Sequence, residues 1–465
     1  MKRFLSVLCT CVLLSFPLGA VEVRVSAAAQ TAWDRLVAAH PVPSGVESGA
    51  IVAQDVPQGG ALPGFKAAGT IVMVPVARFW DVPPAVPRAA AESGDVRLLP
   101  IETVTLPDIA LPVDGLYPGD QGYPLIRDLA IGISGDDPAL VRWFESLPDP
   151  AETGVPRIVW IGAVGDIMPA RGVDASLMAE GGNLRVFGDT LPVLKGLDLL
   201  VGNLEAAATW TGVKTRKTYT FRFDPHALKG LAAAGFSYLS LANNHTFDYG
   251  RDGFVSTLEN VVSAGIATSG AGLTDLDAAR PAVLNVEGME VRLLSFAAYP
   301  VDRGGFDGRV RARAAADRPG TLWLDDEGIA AAARGFSPRA FNIALVHGGV
   351  EWSTSPTAGQ RRGYRELVSA GADLVIGSHP HVLQGLEAID GRLIAYSLGN
   401  FLFPGMEETQ GGESSAVIEI GAWNGKIVTV RVVPVRLHGA TVRLDRQQGA
   451  TAAIRSLSLA LNAPR

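Results

Sequence analysis

The chain has 465 residues, 48% of them hydrophobic and 19% charged, with a formal net charge of −7 at pH 7. That length exceeds one ordinary core and predicts two or three domains. The composition excludes a disordered or fibrous chain, and the mild acidity offers no footprint for nucleic acid.

Residues 1–20 read as a signal peptide. Lys2 and Arg3 precede an apolar run from Phe4 to Leu18, which the small pair Gly19 and Ala20 closes. The run is shorter than the ~20 apolar residues of a membrane span. It predicts export to the periplasm or beyond. Both cysteines, Cys9 and Cys11, lie inside it, so the processed chain has no thiol. A metal site must then draw on His, Asp, Glu and Asn.

Residues 21–153 are expected to form a smaller N-terminal domain, rich in Pro and Gly, with strands near Thr70 to Val76 and Leu129 to Ile133. Its closing part, from Gly115 through Tyr123, Pro124 and Leu125 to Phe144, resembles the end of periplasmic solute-binding proteins. There a Tyr-Pro-Leu step precedes a strand and a helix. A solute-binding-like domain and an unrelated α/β or β-rich domain both remain open. Pro148, Asp149, Pro150, Gly154, Val155 and Pro156 read as a linker, because X-Pro steps favour extended backbone.

From 157 to 437, short apolar runs alternate with helical stretches, which predicts an α/β domain. Strands are expected at Ile158 to Val164, Leu197 to Val201, Phe236 to Leu241, Val291 to Phe296, Asn342 to Val346, Ala372 to Ile376 and Leu393 to Tyr396. One helix carries Asp224 as cap, Pro225 in its first turn and Gly235 past its end. Another runs from about Thr357 to Ala370 and stops at Gly371. Ala416 to Ile420 and Ile427 to Val435 read as antiparallel strands, and residues 438–465 as a C-terminal tail.

Six polar motifs each follow a predicted strand: Gly165-Asp166-Ile167-Met168; Gly202-Asn203-Leu204-Glu205; Asn243-Asn244-His245 with Asp248; His347-Gly348-Gly349 with Glu351; Gly377-Ser378-His379-Pro380-His381; and Ser397-Leu398-Gly399-Asn400-Phe401. Ligand sites of α/β sheets gather at the carboxyl ends of strands, so these motifs can converge. His379 and His381, two apart in extended backbone, would project to the same side. The last motif has no strong ligand and is expected to shape the floor. Imidazoles, carboxylates and an amide oxygen without thiolate suit manganese, iron or zinc.

The ordered set of motifs resembles the CapA family of capsule, or poly-γ-glutamate, synthesis proteins over roughly 157 to 437. That resemblance implies a four-layer α/β/β/α metallophosphoesterase-like sandwich, akin to the calcineurin-like enzymes, with two divalent metal ions. By the same resemblance Asp166 and His381 would hold one ion, and Asn244, His347 and His379 the other. Glu205 would bridge them, and His245 would be the acid for a leaving group, oriented by Asp248. The phosphoesterase pattern begins Asp-x-His, whereas Met168 stands where that His would be.

The implied activity is a hydrolase or transferase acting on an anionic envelope polymer or a phosphorylated small molecule, beside membrane-associated capsule synthesis proteins. A metal-bound, non-catalytic envelope component that binds polymer or partner proteins is the alternative. In a third reading, residues 21–153 bind a small solute and regulate the rest. Lys214, Arg216, Lys217 and Arg222 are expected near the mouth of the site. Arg303, Arg309, Arg311, Arg313 and Arg318 read as a solvated surface.

Overall fold

The computed structural model describes the chain apart from residues 1–12, 19–20, 45, 47–48, 59–61, 63, 79–85, 94–95, 149–156, 179–183 and 463–465. Most of the expected signal, with Cys9 and Cys11, and most of the Pro-rich linker lie outside the described residues. The chain divides into two compact units, Met1–Ile158 and Val159–Arg465.

The first unit contains a seven-stranded sheet in the order Leu13–Leu18, Val21–Ser26, Gly49–Pro57, Ile126–Ser134, Phe65–Arg78 and Leu98–Pro100, with Asp108–Ala110 also paired to Phe65–Arg78. The predicted strands at Thr70 to Val76 and Leu129 to Ile133 fall inside two of these. The Tyr123-Pro124-Leu125 step precedes a strand and the helix Pro138–Glu145. Asp137 caps that helix by accepting from the N–H groups of Ala139 and Leu140.

The second unit carries the polar motifs. Its main strands are β1 (Val159–Ile167), β2 (Leu199–Leu204), β3 (Phe236–Ser240), β4 (Ala282–Val286), β5 (Met289–Ala298), β6 (Phe341–Gly348), β7 (Leu374–Ser378), β8 (Leu386–Ile389), β9 (Arg392–Ala395), β10 (Asn400–Leu402), β11 (Ser414–Trp423), β12 (Lys426–His438) and β13 (Thr441–Leu444). Its longer helices are α1 (Leu228–Ala234), α2 (Gly250–Ser263), α3 (Asp326–Gly335), α4 (Ala358–Ser369) and α5 (Gly449–Asn462).

One sheet has the order β3-β2-β1-β11-β12-β13, with β10 parallel to β1; the other has the order β4-β5-β6-β7-β9-β8. β1, β2 and β3 run parallel, as do β5, β6, β7 and β9. Leu228, Leu231 and Phe254 of α1 and α2 pack on Val164, Leu200 and Leu239 of the first sheet. Ala331, Tyr364 and Leu367 of α3 and α4 pack on Phe296, Ala344 and Val375 of the second. Helix layers thus cover the outer faces of a four-layer α/β/β/α sandwich.

Every residue of β6 is buried, the expected state of a parallel strand covered on both faces. Removing one such large apolar side chain from water stabilises the fold by about 1.5–3 kcal/mol. The predicted helix boundaries hold for physical reasons. Thr357 and Gln360 form a reciprocal capping box at α4, and Gly235 takes φ 111° after α1.

The last stretch differs from expectation. Residues 438–465, read as a tail, contain β13 and α5. α5 lies against β8, where Leu386 N–H donates to Ser458 Oγ (2.9 Å) and Ala388 N–H to Asn462 Oδ1 (2.9 Å). α5 also meets β11 and β12, and a helix of this length draws most of its stability from such packing.

Candidate metal centre

Both sheets deliver polar groups from the carboxyl ends of their parallel strands. Asp166 lies near the end of β1, Glu205 follows β2, and Asn244, His245 and Asp248 occupy the loop after β3. His347 is in the last residues of β6, and His379 and His381 follow β7. Gly165 is needed for closeness: a Cβ there would stand 1.9 Å from the Gly399 carbonyl oxygen. That same oxygen accepts the Asp166 N–H at 3.0 Å.

These groups meet in the interior. Asp166 Oδ1 lies 3.7 Å from His347 Nδ1, and Asp166 Oδ2 lies 3.3 Å from His381 Nδ1. Glu205 Oε1 lies 3.5 Å from His347 Nε2 and 3.9 Å from His381 Nε2. Asn244 Oδ1 is 2.8 Å from His347 Nε2, and the rings of His347 and His379 are 4.8 Å apart. All six expected ligands are therefore neighbours.

Two overlapping triads have ligand atoms within 4.8 Å of one another: Glu205 with His379 and His381, and Asp166 with Glu205 and His347. Glu205 is common to both, as a bridging carboxylate would be. The imidazoles divide differently from the pairing implied by the resemblance, although His381 stays beside Asp166.

A cation fits the unsatisfied atoms. Both carboxylate oxygens of Glu205 and both ring nitrogens of His379 are buried without a hydrogen-bond partner. Leaving such groups bare costs about 1–3 kcal/mol each, and more when charged. Burial, then repulsion from Asp166, pushes the Glu205 carboxyl well above its usual range. Burial pulls His379 down to about 3 and His347 well below the ordinary imidazole value, so both are neutral and ready to ligate. Burial also opposes the charged form of Asp166, but His381 and His347 outweigh it and hold the carboxyl low.

His379 and His381 depart from the extended backbone expected of them. Their φ angles are 95° and 59°, in the left-handed region that non-glycine residues rarely occupy. Such backbone is sustained only where surrounding structure over-determines it, and it gathers at functional sites.

His245 stands at the side of the cluster. Its Nδ1 is 2.7 Å from Asp248 Oδ2, and its Nε2 is 3.9 Å from Glu205 Oε1. A cavity of about 770 Å³ opens above, floored by Asn244, His245, His379 and His381. Phe221, Trp352 and Phe403 line its walls, with Arg171 and Arg303 as cationic groups.

Several supporting residues were not singled out from the sequence. Asn203 Nδ2 donates to Asp166 Oδ1 (2.8 Å) and contacts His347 Nδ1 (3.0 Å), while its Oδ1 accepts from Asn243 (3.0 Å). Ser378 Oγ meets His347 Nδ1 at 2.9 Å, and Asn400 Oδ1 meets His381 Nδ1 at 2.9 Å. All lie within the six motifs, which was the available signal. Of the first basic stretch, Lys217 lines the cavity, whereas Lys214, Arg216 and Arg222 are exposed and the Arg222 guanidinium lies over the Tyr249 ring. In the second stretch Arg303 borders the cavity rather than open surface alone, and Arg313 pairs with Asp325 and Glu327.

Fold and site together define a metallophosphoesterase-like protein. The family model of the bacterial capsule synthesis protein PGA_cap matches residues 160–405, and the chain belongs to that family. It is similar to the PGA biosynthesis protein CapA of Bacillus subtilis strain 168, at 31% identity over 60% of this chain and 71% of that one. It is likewise similar to the capsule biosynthesis protein CapA of Bacillus anthracis, at 31% identity over 59% of this chain and 66% of that one. A Mycobacterium tuberculosis protein, "Probable polyglutamine synthesis accessory protein", shares 28% identity over 63% of this chain and 88% of its own. A solved structure of a hypothetical protein from Thermus thermophilus covers 60% of this chain at 15% identity and TM-score 0.36, too remote to carry an argument.

Proposed function

We propose that the chain is an exported, metal-dependent hydrolase or transferase that takes part in making or processing a poly-γ-glutamate-like capsule polymer. Family membership supports the setting, together with relatives whose names refer to PGA or capsule biosynthesis. The observation that carries the chemistry is the pairing of bare Glu205 and His379 with an intact His245–Asp248 dyad beside them. A scaffold has no use for a held imidazole at that place.

Asp166, Glu205, Asn244, His347, His379 and His381 would hold two divalent ions, of manganese, iron or zinc. Bound there, the ions supply a water of lowered pKa and polarisation of a phosphoryl or carbonyl oxygen. Asp248 accepts the hydrogen bond from His245 Nδ1, which leaves Nε2 as the atom that would pass a proton to a leaving group once the ring is protonated, the role of a general acid. Arg171, Lys217 and Arg303 line the cavity beside Asp302, Glu351 and Glu408, and an anionic substrate such as an envelope polymer or a phosphorylated precursor would meet the three cations there.

One observation favours the second reading, a metal-bound component that binds polymer or partner proteins. Met168 is fully buried where the phosphoesterase pattern places a His, leaving one ion short of a ligand. A screen of the metal-loaded protein on phosphate esters and γ-glutamyl polymers separates the two. Turnover that is abolished by chelation and by His245→Ala supports the enzyme; ion binding with no turnover of either substrate class supports the scaffold.

A further inference from the structure

We propose that Lys217 is a positioning residue that holds His245 in its working geometry, acting through Asp248 and the Asn244 backbone. The inference rests on the reading of His245 as the acid and extends it to a residue outside the six motifs.

Lys217 and Asp248 both have fully buried side chains, and they form an ion pair. An ammonium in such a place is strongly disfavoured unless paired and hydrogen-bonded. Lys217 Nζ also donates to the Asn244 carbonyl oxygen, and it lies 5.2 Å from the centre of the Phe306 ring. One ammonium therefore touches both ends of the Asn244–Asp248 loop.

Asp248 serves three donors. Oδ1 accepts from Lys217, while Oδ2 accepts from the Phe221 N–H (2.6 Å) and faces His245 Nδ1 (2.7 Å). Lys217 thus pins the oxygen that His245 does not use, which fixes the rotation of the carboxylate. The strap is reinforced by the Thr215 N–H, which donates to the Asp248 carbonyl at 2.8 Å. The same segment forms a cavity wall, for Lys217, Thr218, Tyr219 and Phe221 all line it. A rigid tie between that wall and the loop bearing His245 preserves an angle on which proton transfer depends.

Lys217→Met and Lys217→Gln test this on the full chain. In the substrate-free protein labelled with 15N-histidine, the proton bonded between His245 Nδ1 and Asp248 is read by NMR, with His245→Ala assigning the signal. That proton is expected to be sharp in the parent, and exchange-broadened or split in Lys217→Met, with partial recovery in Lys217→Gln. This readout needs no turnover, so it stands even if the hydrolase reading fails. Where a substrate is turned over, kcat should fall about 10-fold or more with KM little changed, and Lys217→Met should add nothing to His245→Ala. An unchanged signal in a folded Lys217→Met, or a further loss of rate on the His245→Ala background, would overturn the proposal. Failure of both variants to fold would reduce Lys217 to a folding role and overturn it as well.

Discussion

His245 Nδ1 lies 2.7 Å from Asp248 Oδ2, while its other ring nitrogen points to Glu205 Oε1 at 3.9 Å. The imidazole is thereby anchored on the side away from the cluster. Its neighbour Asn244 turns its amide oxygen toward His347 instead, at 2.8 Å.

From this division of labour, His245→Ala is expected to keep its metal and to lower turnover by ~10²-fold or more, the usual scale for a lost general acid. His379→Ala should lose metal as well. Stoichiometry and rate measured side by side decide the assignment: equal loss of metal in both variants would make His245 a ligand.

Truncation at residue 437 should destabilise the second unit, although the motifs end before it. α5 satisfies the edge of β8 through Ser458 and Asn462, and Asn462 Nδ2 also donates to the Leu386 carbonyl at 2.8 Å. Stripping that edge exposes unpaired backbone and invites association. Residues 157–437 should therefore melt several degrees below 157–465 and aggregate sooner, compared by calorimetry and light scattering.

Glu387 provides a pH prediction. Burial opposes its charge, but Arg365, Tyr396 and Arg361 outweigh that and hold the carboxyl below the usual range. A depressed carboxylate contributes stability that is full above its unfolded pKa of about 4.3 and fades as pH falls through its folded value. Glu387→Gln should lower stability near neutral pH and flatten the loss on acidification in denaturant titrations. Identical acid limbs for variant and parent would contradict the account.

Phe341→Ala removes a side chain with no exposure at the start of β6. A loss of about 3–5 kcal/mol is expected from the cavity, read by chemical denaturation.

Most of the parallel strands were legible because they are short apolar runs ended by a polar motif, and the helix ends because Asp224, Gly235 and Thr357 carry their own capping chemistry. The gathering of Asp166, Glu205, Asn244, His347, His379 and His381 at one place was legible for the same reason. The backbone of His379 and His381 was not: left-handed φ values at non-glycine residues follow from the surrounding packing and leave no local trace. Nor was the fate of Lys217. The sequence places it near the mouth of the site, and only the fold buries it against Asp248. α5 was missed because a helix of its length is set by packing, here on β8, β11 and β12, more than by local signals.

Glu205 and His379 are buried without a hydrogen-bond partner, and a metal ion is expected between them. Elemental analysis after mild reconstitution with manganese or zinc tests it most directly. Up to two ions per chain are expected in the folded protein, and Glu205→Gln should reduce that number. Less than about half an ion per chain in a correctly folded sample, judged against the ~two-ion expectation, would contradict it.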